Sequence, residues 1–174
     1  MKIIIFICSL TLAGYGAYPQ ANPYPCKSSL QHRQFDFWIG EWNVYLPDLK
    51  SQVGESKIEM GSDGCLILEN WTSKATPPTT GKSMNYINPQ TSKWEQLWVG
   101  SGINVNNPQK FINGEYKDEA MRFDFTQVDV NGNQQIGRFI FFNLKDKKVR
   151  QLCEVSSNAG KTWITLYDYY YIKK

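Results

Sequence analysis

Few side chains in this sequence are equipped for chemistry, and their positions narrow that chemistry further. The one histidine, His32, sits in a polar stretch ahead of the aromatic-rich body of the chain. A Ser-His-Asp or Cys-His nucleophile would have to recruit it from there, and a haem iron would find no imidazole within that body. His32 therefore reads as a solvated surface residue. The cysteines lack close ligand spacing, which argues against a zinc site. No catalytic residue, metal ligand or cofactor is assigned.

What remains is a set of polar groups interleaved with aromatics. Glu69 is followed two residues later by Trp71, Asn85 lies between Met84 and Tyr86, and Gln96 alternates with Trp94 and Trp98. Arg150 alternates with Leu152 and Glu154. In an extended chain such alternate residues share a face. If the faces converge, they form aromatic walls with a few hydrogen-bonding groups, one cation and two carboxylates, which is how small-molecule pockets are lined. The expected contacts are Trp71, Asn85, Gln96, Trp98, Arg150 and Glu154, with Glu69 or Glu154 as ion-pair partner of Arg150. The same alternation also fits residues facing solvent, or a satisfied network in a solid core. A carboxylate pair of the glycosidase type, Glu69 with Glu154, is a further option whose spacing the sequence does not give.

Converging faces require strands, and the chain supplies them. From Phe35 onward, short runs rich in aromatic and β-branched residues alternate with turn-forming clusters. Candidate strands fall at roughly 40–47, 54–61, 64–73, 82–88, 93–100, 109–117, 120–128, 135–144, 147–156 and 161–172. Asp63–Gly64 and Asn131–Gly132 provide the positive-φ positions of tight hairpins, so neighbours in sequence should pair antiparallel. A closed up-and-down β-barrel of about ten strands removes both sheet edges and leaves an interior wide enough for a ligand. A β-sandwich is the runner-up.

The N-terminus, "MKIIIFICSLTLAGYGAYPQ", has one Lys, an apolar run and then small residues. That pattern predicts a secretory signal peptide over residues 1–17, too short to span a bilayer. Residues 18–34 read as an extended lead-in and 35–174 as the barrel. Export to a secreted or periplasmic, oxidising setting leaves Cys26, Cys65 and Cys153 for one disulfide and one free thiol. A tie from Cys26 to a barrel strand is preferred, with Cys65 and Cys153 equally eligible as partner. The net charge of +3 is scattered, without the basic stripe of a nucleic-acid footprint. No later segment is apolar enough to span a membrane as a helix.

"FDFWIGEW", "GCLILENW", "MNYINPQTSKWEQLWV" and "VRQLCEVSSNAGKTW" occur in this order. Together they resemble a family of exported, mostly bacterial domains of unknown function in the lipocalin-like (calycin) superfamily. The resemblance spans Phe35 to Tyr171 and implies a β-barrel with a central cavity and no catalytic residues. It implies that Gly40 opens the first strand after a base-closing turn and that Trp42 packs across that end. Cys153 departs from the pattern, which has an aromatic there. "SSNAGKTW", ending at Trp163, also resembles the Asp-box hairpin of sialidase blades; as a single copy it reads as a structural turn. "TPPTTGKS" at Thr76 is followed by a strand, so it lacks the helix N-terminus of a phosphate loop.

The expected function is an exported, monomeric or weakly dimeric barrel holding a small hydrophobic or amphipathic molecule. Tyr167, Tyr169 and Tyr171 share one face of the last strand, as extra cavity wall or as packing against a neighbouring surface. One alternative function is a solid-core interaction module using a tyrosine-rich outer face. Another is a cofactor-free enzyme using a cavity acid with Arg150.

Overall fold

The computed structural model describes residues 25–101 and 108–174; the signal peptide read over 1–17 lies outside them. Ten strands follow one another: β1 (Gly40–Tyr45), β2 (Gln52–Gly61), β3 (Leu66–Ser73), β4 (Thr80–Asn88), β5 (Lys93–Gly100), β6 (Gln109–Lys117), β7 (Ala120–Val128), β8 (Gln134–Leu144), β9 (Lys148–Ser156) and β10 (Ile164–Lys173). Each pairs antiparallel with its neighbours in sequence, and β1 also pairs with β10, Trp42 opposite Lys173 and Val44 opposite Tyr171. The sheet thus closes on itself, and no sandwich forms. Closure gives every ladder hydrogen bond a partner and abolishes the two edges that an open meander would expose.

Strand direction sorts the connections between the two ends of the barrel. Residues 46–51, 74–79, 129–133 and 157–163 lie at one end; 62–65, 89–92, 118–119 and 145–147 lie at the other. That second end is closed by short helical turns preceding β1, at Gln31–Arg33 and Asp36–Trp38. They lay Phe35 and Trp38 over the base, both fully buried. Phe35 stacks on Trp38 (5.1 Å between ring centroids), and both contact Phe141. Gly40 bends the chain from turn to strand at φ +145°. Trp42 then points back under the turn, its indole Nε1 donating to the Trp38 carbonyl at 2.9 Å. Phe37 joins the layer against Tyr116.

The lead-in departs from expectation where it is described. From Pro25 it makes a helical turn, Pro25–Ser28, rather than an extended run. Several contacts hold it against the base, among them a disulfide and an arginine. Cys26 is bonded to Cys65 with their Cα atoms 5.0 Å apart, and the Arg33 Nη2 donates to the Gly64 carbonyl at 2.6 Å. A loop of this length should gain about 4 kcal/mol from the disulfide through chain entropy. Cys153 is therefore the free thiol, buried on β9.

The 156–163 segment is a hairpin turn tied by its own side chains. Ser156 Oγ accepts from the Gly160 amide at 2.9 Å, and Asn158 Oδ1 accepts from the Thr162 amide at 2.9 Å. Trp163 lies on the outer surface beneath the Arg138 guanidinium, 4.2 Å from its ring centroid.

Candidate functional site

Above the aromatic base the barrel is hollow. A cavity of about 220 Å³ opens toward the end opposite the helical turns, lined by Glu69, Trp71, Gln96, Trp98, Phe111 and Phe139 together with Gln109, Gln151, Tyr167, Tyr169 and Tyr171. A dry cavity near 150 Å³ accepts benzene, so this space suits one aromatic ring with a short tail.

The hollow exists because two tryptophans lie flat against the wall. The Trp71 indole covers Gly54 on β2, where an added Cβ would sit 2.3 Å from the ring. Trp98 covers Gly81 on β4 in the same way, at 2.2 Å. Any larger residue at these positions would push an indole off the wall and into the cavity. On the far side Trp71 stacks with Tyr169 (13° between planes), Tyr169 stacks on Tyr167, and Phe139 meets Tyr167 edge-on. Tyr167, Tyr169 and Tyr171 are thus cavity wall, and the tyrosine-rich outer face considered from sequence is not formed by them.

The polar groups form one connected network with Glu69 at its centre. Ser56 Oγ donates to Glu69 Oε1 at 2.7 Å, and Ser83 Oγ donates to Oε2 at 3.1 Å. The Tyr171 hydroxyl lies 3.4 Å from Oε1 and 3.2 Å from Gln151 Oε1. Asn85 Nδ2 donates to the Ile67 carbonyl and to Ser83 Oγ, while Gln96 Nε2 donates to Asn85 Oδ1 at 2.7 Å. Burial pushes the Glu69 carboxyl up to about 7; the three hydroxyls oppose that rise only in part. Among the described residues no lysine, arginine or histidine lines the cavity. Burial also raises the Cys153 thiol to about 12 and the Tyr167 and Tyr171 phenols well above their usual range. These groups are neutral at physiological pH.

Of the residues singled out from sequence, Glu69, Trp71, Gln96 and Trp98 line the cavity. Asn85 is fully buried one step behind, reaching the cavity through Gln96. Arg150 and Glu154 are corrections: both face outward. Arg150 forms a two-pronged pair with Asp168 (2.9 and 2.8 Å) and lies against the rings of Phe142 and Tyr170. Glu154 accepts from Arg138 Nε at 2.6 Å. Neither pairs with Glu69, and among the described residues Glu69 is the one carboxylate lining the cavity. Physically, β9 turns Val149, Gln151, Cys153 and Val155 inward, in register with inward Tyr171 and Tyr169 on β10. A guanidinium there would lose its hydration with no carboxylate but Glu69 to answer it, whereas the outer face leaves it half-solvated and paired.

Sequence reasoning passed over Ser56, Ser83, Gln151, Phe111 and Phe139. A signal for the serines was available. Gly54 and Ser56 alternate with Glu55 and Lys57, and Gly81 and Ser83 alternate with Lys82 and Met84. Two inward faces made of small residues, beside strands bearing Trp71 and Trp98, are the pattern of seats for large neighbours.

No protein-family model and no curated protein matches the chain.

Proposed function

We propose that this chain is a binding protein that holds a small, mostly apolar molecule in the open half of its barrel. The observation that carries this reading is the cavity itself: aromatic walls held apart by Gly54 and Gly81 beside a small set of fixed polar groups. Filling it would remove aromatic surface from water, at about 25 cal/mol per Å². The Cys26–Cys65 bond supports an oxidising compartment, in keeping with export by the N-terminal signal. The four motifs support kinship with exported lipocalin-like domains, and a monomer or weak dimer accords with a ligand site enclosed by one chain. The enzyme alternative loses its proposed partner, since Arg150 is outside the barrel.

Native mass spectrometry of protein purified from its own host should reveal a co-purifying small molecule. Tryptophan-fluorescence titration with a panel of small aromatic and lipid-like compounds should give saturable quenching. Absence of both would sink the reading.

A further inference from the structure

We propose that the ligand is an organic cation, an N–H-bearing ammonium on an aromatic or aliphatic body of about one ring, whose charge pairs with Glu69. This rests on the cavity being a binding site and goes on to name the chemistry of what fills it.

The polarity of the network points that way, and a backbone carbonyl sets it. The Ile67 carbonyl can only accept, so the Asn85 amide nitrogen must face it. That same nitrogen donates to Ser83 Oγ, which leaves the Ser83 hydrogen free for Glu69 Oε2. With its nitrogen so placed, Asn85 offers Oδ1 to Gln96, and Gln96 must answer with its own nitrogen. The Gln96 carbonyl oxygen is then left without a partner among the described residues. Ser56 and Ser83 both present hydrogens to Glu69, an arrangement suited to a carboxylate that accepts. Around Glu69 the network thus offers acceptors, the carboxylate and the Gln96 carbonyl, while the uncharged Gln109 and Gln151 amides complete the polar lining.

A buried carboxylate needs a counter-charge. Among the described residues no cation lines the cavity, and residues 102–107 bear no ionisable side chain. A carboxylic acid or phosphate ligand would bring a second negative charge beside Glu69 with only neutral amide donors, Gln109 and Gln151, to answer it. An ammonium brings the missing partner, and Trp71, Trp98, Tyr167 and Tyr169 offer it aromatic faces. A bare metal ion fits poorly, because the serine hydroxyls are turned as donors to Glu69 and the rest of the wall is mostly aromatic.

The groups facing Glu69 simplify its pH response. Ser56 on β2, Ser83 on β4 and Tyr171 on β10 surround it, with Tyr167 and Tyr169 further along β10 and Cys153 on β9. Of these, the phenols and the thiol are raised above their usual ranges and stay neutral at physiological pH. Among the described residues, Glu69 alone changes charge in the cavity between mildly acidic and mildly basic pH. His32 lies against Trp94 at the closed end, and its titration is pushed down by burial and by Arg33.

Isothermal titration of the full chain with phenethylamine, 2-phenylethanol and 3-phenylpropionate tests the proposal. At about pH 8 the amine should bind at least about tenfold tighter than the alcohol, and the carboxylate weakest of the three. Lowering the pH to about 6 should cost the amine about tenfold and leave the alcohol unchanged. Glu69→Gln should bind amine and alcohol alike, and circular dichroism confirms that the variant folds; the wild-type comparison stands without it. Equal binding of amine and alcohol by the wild type overturns the cation assignment and leaves the cavity reading intact. An amine preference that survives in folded Glu69→Gln overturns the role of Glu69. No binding of any of the three overturns both proposals.

Discussion

At the closed end of the barrel, Phe35, Trp38 and Trp42 pack with Phe141 and Tyr171, and all five rings are buried. At the open end, Trp71 and Trp98 lie on bare glycine backbone and leave a hollow between them. Both ends use large aromatics. The difference is in what the tryptophans rest upon. Trp38 and Trp42 pack on other rings and make a plug, whereas Trp71 and Trp98 are seated on glycine and become wall. Tyr171 joins the two halves, its ring against Trp38 and Trp42 and its hydroxyl at Glu69.

Breaking the plug should cost the most. Trp42→Ala removes a fully buried indole and its bond to the Trp38 carbonyl, and should lower unfolding free energy by about 3–5 kcal/mol in urea titrations. The corresponding change at the hollow end, Trp98→Ala, should cost clearly less, because that indole is partly exposed and faces open space on one side. Similar losses at both ends would dissolve the distinction between plug and wall.

The next effect is electrostatic and belongs to the hollow. Glu69 is raised from 4.5 to about 7 in the folded protein, so the folded state holds its proton where the unfolded chain has lost it. The stability this confers is fully present below pH 4.5, declines as pH rises through the interval, and is gone above about 7. It amounts to about 3 kcal/mol, read as the fall in unfolding free energy across that window, and Glu69→Gln should flatten the fall. A wild-type profile as flat as that of the variant would count against a buried, uncompensated acid.

A smaller change sharpens the comparison by converting wall into plug. Gly81→Ala places a Cβ where the Trp98 ring now lies and should turn that indole into the cavity. The expected cost is about 1–3 kcal/mol of stability, with loss of ligand binding out of proportion to it. Unaltered binding would mean that the ring has room to escape elsewhere. Smallest of all is Arg150→Ala. Its pair with Asp168 lies on the outer face, so stability should fall by no more than about 1 kcal/mol and ligand affinity should not move.

The barrel itself was readable in the sequence for physical reasons that these regions illustrate. Period-two alternation and turns such as Asp63–Gly64 mark hairpins locally, and no strand boundary differs from its expected position by more than three residues. That Glu69 shares a face with Trp71, and Gln96 with Trp98, followed from their alternation with Asn70 and with Leu97; which of the two faces points inward is settled by the closed sheet. On β9 that rule lost its contrast. Leu152, though on the outer face, is only 9 % exposed beside Ile140, while inward Gln151 is polar. A single strand with an apolar residue outside and an amide inside does not announce its faces; the register with β10 does. The choice between Cys65 and Cys153 was equally non-local, since it depends on which end of the barrel the lead-in covers. Nor does any local pattern reveal that a tryptophan rests on a glycine of the next strand.

Titration of 15N-labelled protein with phenethylamine at about pH 8, followed through the indole N–H resonances, tests the division of the barrel most directly. The account predicts saturable shifts for Trp71 and Trp98, with Trp38, Trp42, Trp94 and the outer Trp163 essentially unmoved. Shifts confined to the closed-end indoles or to Trp163, or no saturable shift at Trp71 and Trp98, would contradict it.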